Sequence, residues 1–288
     1  MITYNNKVLN INNKWMYAAH AAIRVKYKQG TSPHSYVGND RVLVDQENNI
    51  WDIYKAGTKL NGLFMWESDL LEVISAKLVG IVDMGNMFYG CSSLTSVPLF
   101  DTSNVTSTYE MFRGCSNLTS SPLFDTRNVT NMGDMFYGCS SLTSVPLFDT
   151  SSCTNMDSMF YGCASLTSIP LFDTSNVTTT YQMFRGCSNL TSSPLFDTGN
   201  ATNISEMFQD CTSLTAVPLF DTAKALDMKY MFANCPNVES GALALYQQAS
   251  SQSRVPTHRY CFYNCGSNTT TGAAELAQIP SGWQGWSV

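Results

Sequence analysis

Residues 87–106 read M-F-Y-G-C-S-S-L-T-S-V-P-L-F-D-T-S-N-V-T, and the phrase returns at a fixed step. Cys91, Cys115, Cys139, Cys163, Cys187, Cys211 and Cys235 stand 24 residues apart, each inside a copy of M-F-x-x-C-x-x-L-T-x-x-P-L-F-D-T, the last one truncated. A constant period of roughly 20–30 residues marks a solenoid, in which each repeat is one coil stacked on the last. Six full copies align without gaps, at 84–107, 108–131, 132–155, 156–179, 180–203 and 204–227. A seventh begins at Met228 and breaks after Val238, and a degenerate copy precedes the first, with Leu70, Val73 and Ile81 in the slots of Leu94, Val97 and Val105. The reading is a solenoid over residues 66–240 between two flanks, 1–65 and 241–288. Residues 84–155 match 156–227 more closely than neighbouring copies match each other, so a block of three rungs has been duplicated.

Within one copy, Leu94, Val97 and Leu99 follow L-x-x-L-x-L, which predicts a strand with these three residues turned into the coil. Thr95, Ser96, Pro98 and Phe100 then face outward. Proline removes a ladder donor, so the strand is expected to be short. The other half of the rung has helical spacing: Val129, Met132, Phe136 and Cys139 lie at i, i+3, i+7 and i+10. The polar cluster Asp125, Thr126, Arg127 and Asn128 precedes this segment and Gly138 closes it, as a helical turn would require. The fold expected is an α/β solenoid, a leucine-rich-repeat-like right-handed coil, with a small β-rich N-terminal module and a helical C-terminal cap. The module rests on strand-like runs at Ile23–Tyr27, Arg41–Val44 and Ile50–Tyr54, and the cap on helix-like runs at 241–250 and 272–279. All five tryptophans lie outside the full copies.

Ten cysteines raise the question of disulfides or zinc. There is no C-x-x-C pair. Cys265 takes the ladder slot of a displaced copy, C-F-Y-N-C, Cys261 its methionine slot, and Cys153 a valine slot. All ten therefore occupy apolar positions, and free buried thiols are expected. Charged residues make up 13% of the chain, about half the usual share, and the net charge is −6 without a basic run, which argues against nucleic acid and anionic lipid as partners. The first residues contain no apolar segment of signal-peptide type, and no apolar run reaches the roughly 18 residues of a membrane span. The expectation is a chain neither exported by the usual route nor inserted in a membrane.

The phrase M-F-Y-G-C-S-S-L-T-S-V-P-L-F-D-T-S-N-V-T resembles the BspA-like leucine-rich repeat family, over roughly residues 70–265. The resemblance implies a surface protein that adheres to host molecules. Similar repeats behind an I-T-Y-N-N-K-x-L-N-I-N-N-K-W opening resemble proteins of gut bacteriophages, which implies a virion component.

Catalytic chemistry finds little support. Residues 84–223 contain no histidine and no lysine, and His20, His34 and His258 are scattered without metal spacing. No enzyme, cofactor or metal site is expected. The candidate ligand-binding positions are the hydroxyl pairs Thr95 and Ser96, Thr119 and Ser120, Thr143 and Ser144, and Thr167 and Ser168. Phe100 joins them, although packing of Phe100, Phe124 and their equivalents on one another is the stronger reading for the rings. A second candidate row is Tyr89, Arg113, Tyr137, Tyr161 and Arg185, side chains of interface-enriched types that an ordinary exposed turn would equally accommodate. Asp101, Asp125 and their equivalents form a carboxylate row, better explained by turns that they close than by calcium. The function expected is adhesion to a host surface glycan or protein, as a bacteriophage fibre or decoration protein attached to other virion proteins through residues 1–65. A bacterial surface adhesin and a purely structural spacer are the alternatives. Homo-oligomerisation is left open.

Overall fold

A computed structural model describes residues 21–34, 40–55 and 57–285. The opening motif, Trp15 and His20 lie outside the described residues. Four antiparallel strands make the N-terminal sheet: β1 (Ala21–Tyr27), β2 (Asp40–Asp45), β3 (Ile50–Lys55) and β4 (Leu70–Leu78), in the order β2-β3-β1-β4. The alternation of A-A-I-R-V-K-Y buries Ala21, Ile23, Val25 and Tyr27 and leaves Arg24 outside, where it pairs with Asp52 of β3 at 2.7 Å. Three of these strands match the predicted runs. The fourth comes from the segment read as the degenerate first copy, and it joins sheet to solenoid: Glu72 bridges Ser96, and the Thr95 N–H donates to the Leu71 carbonyl at 3.0 Å. The rung pattern also reaches back across the boundary drawn at residues 65/66, since Lys59 bridges Asp83 and the Phe64 ring stacks on Phe88 at 5.5 Å.

The segment with helical spacing is not a helix. Asp134 and Gly138 both adopt left-handed backbone (φ 55° and 71°), and the same pair of conformations recurs in the other rungs. Two left-handed residues four apart cannot lie in a right-handed helix. The N–H groups instead alternate in destination. Those of Met135, Tyr137 and Cys139 donate three residues back within the rung, to Met132, Asp134 and Phe136. Those of Asp134, Phe136 and Gly138 donate to Asp157, Met159 and Tyr161 of the next rung, at 2.7–2.9 Å. The arc is a run of turns whose every second donor ties it to its neighbour. Met132, Met135, Phe136 and Cys139 are fully buried, so the periodicity marked the core correctly and its conformation wrongly.

The L-x-x-L-x-L reading also fails at its last position. The Phe124 N–H donates to the Pro122 carbonyl at 3.0 Å, and Phe172, Phe196 and Phe220 repeat the bond. This three-residue turn shifts the alternation by one. Leu123 is consequently 58% exposed and Phe124 only 3%, and Leu99 and Phe100 show the same contrast, 64% and 3%. From there P-L-F-D-T alternates strictly: Leu99 out, Phe100 in, Asp101 out, Thr102 in. The parallel bridges that recur from rung to rung, such as Asn131 to Asn155, lie instead at the corner before the methionine and phenylalanine arc. The leucine segment bridges its neighbour only at Glu72–Ser96 and Ala216–Ser240 among the described residues.

Four rows run the length of the stack. Phe88, Phe112, Phe136, Phe160, Phe184 and Phe208 stack at 5.3–5.7 Å. Phe100 and its equivalents pack against this row, as between Phe136 and Phe148 at 6.3 Å. Each ladder cysteine donates its thiol to the carbonyl of the phenylalanine one rung earlier, Cys139 to Phe112 at 3.1 Å for example. The buried hydroxyls of Thr102, Thr126, Thr150, Thr174 and Thr198 each donate to a carbonyl one rung later, Thr150 to Asp173 at 2.8 Å, and Thr222 at the end of the row accepts from Gln252 Nε2.

All ten cysteines are free and buried. Burial pushes the Cys153 thiol up to about 11 and Cys265 up to about 12, and raises the ladder thiols further. The thiolate is the reactive form. The native chain is therefore expected to leave a thiol reagent unreacted at neutral pH. Unfolding without reductant should release all ten thiols, and a markedly lower count would show disulfides.

The C-terminal cap contains α1 (Ala242–Ser250), α2 (Thr270–Leu276) and α3 (Ser281–Gln284) around a last rung at 257–265. Gly241 begins α1 with φ 96°, and a Cβ there would stand 2.2 Å from the Val217 carbonyl oxygen. Thr269 caps α2 by accepting from the Gly272 N–H at 3.0 Å. Trp283 of α3 is buried, lies 6.1 Å from the Phe262 ring and 4.0 Å from His258, and closes the aromatic row. A terminal coil needs such cover.

Candidate functional site: the repeat surface

The rungs are not evenly spaced across their width. At the glycine edge they are tight: Gly90, Gly114, Gly138 and Gly162 donate to the next rung at 2.7 Å, and the Tyr137 and Tyr161 rings stack at 4.3 Å. At the Pro–Leu edge the middle rungs open, although Phe100 and Phe124 near the start of the stack stand 5.5 Å apart. The Phe148, Phe172 and Phe196 rings stand 6.3 and 6.4 Å apart, the Thr167 N–H reaches Thr143 only at 3.5 Å, and residues 168–171 send no main-chain hydrogen bond to the rung before. The recurrent proline explains this edge, because it deletes a donor in every rung. The buried threonine hydroxyls supply the link that the backbone lacks there.

Tyr89, Arg113, Tyr137, Tyr161 and Arg185 form a single row on the tight edge. Trp66 starts it, edge-on to Tyr89 at 4.6 Å. The Arg113 guanidinium lies 5.7 Å from the Tyr89 ring centre and 3.9 Å from that of Tyr137, and Arg185 lies 5.5 Å from Tyr161. These are cation–π distances. Each arginine is also held by carboxylates: Arg113 by Asp134 at 2.6 Å and Glu110 at 3.3 Å, Arg185 by Glu206 and by Asp210 at 3.7 Å. The ring faces that a sugar would stack on are therefore largely covered by the next member of the row. The arrangement is a structural ladder whose outer edges remain half-exposed.

Burial pushes the Asp134 carboxyl up to about 6, against the pull of Arg113, while the Ser103 hydroxyl holds Asp101 below its ordinary value. A carboxyl with a raised folded pKa contributes stability fully below its unfolded value of about 4 and loses it as pH rises through the folded one. Urea titrations at stepped pH should show the stability of the parent falling relative to that of Asp134→Asn between pH 4 and 6. Identical pH slopes in the two would place the Asp134 titration elsewhere.

The hydroxyl pairs sit on the open edge, where Thr95, Ser96, Thr119, Ser120, Thr143, Ser144, Thr167 and Ser168 are all exposed. Thr95 and Thr143 turn their hydroxyl protons to the rung before, to Leu71 and Thr119, and keep lone pairs for solvent. Phe100 does not belong to this surface. The carboxylate row closes turns, as expected: Asp149 accepts from the Ser151 N–H at 3.1 Å and its hydroxyl at 2.6 Å. Among the described residues no three potential ligands converge on a metal position. His34 pairs with the buried Glu67 at 2.6 Å, and His258 lies against Trp283. No helix among the described residues is long and apolar enough to cross a membrane.

Sequence reasoning missed the most distinctive surface feature. Leu99, Leu123, Leu147, Leu171, Leu195 and Leu219 are 53–64% exposed and form one row down the open edge. Scattered exposed leucines are ordinary, but six in register form a contiguous apolar stripe of the kind that marks a contact surface. Between the last two of them, Ser192, Ser193, Leu195, Ala216, Val217, Pro218 and Leu219 line a cleft of about 300 Å³. The signal was available in Asp101: a turn-closing carboxylate must face out, and period two then turns Leu99 out and Phe100 in.

The fold and this surface define a repeat solenoid with a continuous apolar and hydroxyl edge. The family described as "Mycoplasma protein of unknown function, DUF285" matches residues 58–168 and 143–244, and the chain belongs to this family. No curated protein matches it. Two solved structures are similar in outline. The leucine-rich repeat protein of T. pallidum is 18% identical, over 72% of this chain and 82% of that one, with a TM-score of 0.40. A leucine-rich repeat protein from Eubacterium ventriosum is 21% identical, over 57% of this chain and 52% of that one, with a TM-score of 0.38. Likeness at this level adds nothing to the argument from the chain's own geometry.

Proposed function

We propose that the chain is a non-enzymatic binding protein whose repeat surface adheres to a host-cell glycan or protein. The observation that carries this reading is the exposed leucine row. The phenylalanine, cysteine and threonine rows each have a task inside the stack, whereas the leucines contact mainly solvent. The surrounding threonine and serine hydroxyls give the same edge polar partners.

Within this reading the chain serves as a bacteriophage fibre or decoration protein, with residues 1–65 attaching it to other virion proteins. The support is the resemblance of its opening residues and repeats to gut phage proteins. The alternative of a bacterial surface adhesin is favoured by the family's Mycoplasma members. Mass spectrometry of purified virions separates the two, and absence of the chain from virions removes the phage reading. A glycan and host-protein array probed with the full chain tests adhesion itself. Saturable binding to some members is expected, and a blank array would favour the virion spacer.

A further inference from the structure

We infer that the Leu–Asp edge docks an extended, basic polypeptide segment whose alternate side chains are apolar, a deepening of the adhesion reading on which it rests. Three observations converge. The first is the stripe itself, with Leu147, Leu171 and Leu195 each 59% exposed. The cleft of about 300 Å³ beside Leu195 and Leu219 shows that the space between rungs can admit a side chain.

The second is charge. Each leucine is followed two residues later by an outward aspartate, so a carboxylate row runs parallel to the apolar one. Asp101, Asp149 and Asp173 use Oδ1 on the turn that they close. Residues 84–223 contain only three basic side chains, Arg113, Arg127 and Arg185. Arg113 and Arg185 are engaged in the tyrosine row, and Arg127 pairs with Asp125 at 2.9 Å. From Leu99 to Leu195 the edge is therefore apolar and acidic with Arg127 as its compensation, and Lys224, which donates to Asn200 at 2.6 Å, adds a second cation at the last rung. A second copy of this chain would set one aspartate row against another, and like charges disfavour that contact. An anionic lipid surface is disfavoured for the same reason. A segment carrying lysine or arginine beside its apolar side chains is the complementary occupant.

The third is spacing. The rings behind Leu147, Leu171 and Leu195 repeat at 6.3 and 6.4 Å, against 5.5 Å between Phe100 and Phe124 behind Leu99 and Leu123, so the wide register belongs to the middle rungs. An extended chain repeats its same-face side chains about every 6.6 Å, whereas a helix repeats about every 5.4 Å. Over this wide part of the stack the extended chain stays nearer to register, so one apolar side chain meets each gap between leucines.

The test uses three fluorescein-labelled twelve-residue peptides against the full chain. One alternates leucine with lysine, one carries the same residues in helical order, and one alternates leucine with glutamate. Anisotropy should show the first binding at least tenfold tighter than the other two. It should weaken with added salt and fall at least tenfold on Leu147→Ser/Leu171→Ser, a variant whose denaturation midpoint is expected to match the parent. Equal binding of the acidic peptide would overturn the charge argument, and preference for the helical order would overturn the extended occupant. Unchanged affinity of the serine variant would remove the edge as the site. Adhesion to cells or glycans that survives in the serine variant sinks this inference and leaves the adhesion reading standing. Absence of any adhesion by the parent chain sinks that reading instead.

Discussion

Phe148→Ala is expected to destabilise the chain by about 3–5 kcal/mol, whereas Leu147→Ala beside it should change stability by under about 0.5 kcal/mol. The contrast follows from two neighbouring exposures, 2% for Phe148 and 59% for Leu147. The Phe148 ring packs 6.3 Å from Phe136 and 6.3 Å from Phe172. Its removal leaves a cavity that flanking rungs cannot fill, since each is fixed by its own aromatic rows. Truncating Leu147 removes surface that water already reaches. Denaturant titration of both variants decides the register. A heavy cost at Leu147 and a light one at Phe148 would restore the L-x-x-L-x-L strand.

Thr150→Val is expected to cost about 1–3 kcal/mol, although it preserves volume. The Thr150 hydroxyl is buried and donates to the Asp173 carbonyl at 2.8 Å. Valine would remove this tie between rungs at the open edge, where proline has already thinned the main-chain ladder. Thr126, Thr174 and Thr198 make the same bond at 2.7 Å, so substitutions at two rungs should destabilise further. Exposed Thr154 offers the control. Its hydroxyl bonds the Thr130 carbonyl at 3.2 Å, but its main-chain N–H donates to the same oxygen at 3.0 Å. Thr154→Val should therefore cost little. Equal costs at Thr150 and Thr154 would show that the buried row is not the lateral tie.

Much of this was legible in the residues. The cysteine ladder gave the period, the limits of the full copies and the free, buried state of the thiols. The alternating run at Ile23–Tyr27 gave β1, and G-A-L-A-L-Y-Q-Q-A-S gave the first cap helix. What misled was local conformation. Four inward residues at helical spacing arise equally from a run of turns, because both bring residues three or four apart to one side. The left-handed residues that break the helix are Asn, Asp, Glu, Gln, Ser and Tyr as well as glycine, so glycine alone did not reveal them. The leucine register failed because a turn centred on Leu123 and its equivalents inserts one residue into an otherwise regular alternation. The tyrosine–arginine row was visible as a set of interface-type residues. That its members would cover one another's faces depended on the 4.3 Å stacking at the tight edge, which no single rung encodes.

The central claim is that the rungs are a scaffold for an adhesive surface. Flow cytometry of the labelled full chain against a broad panel of bacterial and host cells tests it most directly. The account predicts saturable binding to a subset of the panel, competed by unlabelled chain. A folded chain that binds no member at any concentration up to the solubility limit would contradict it.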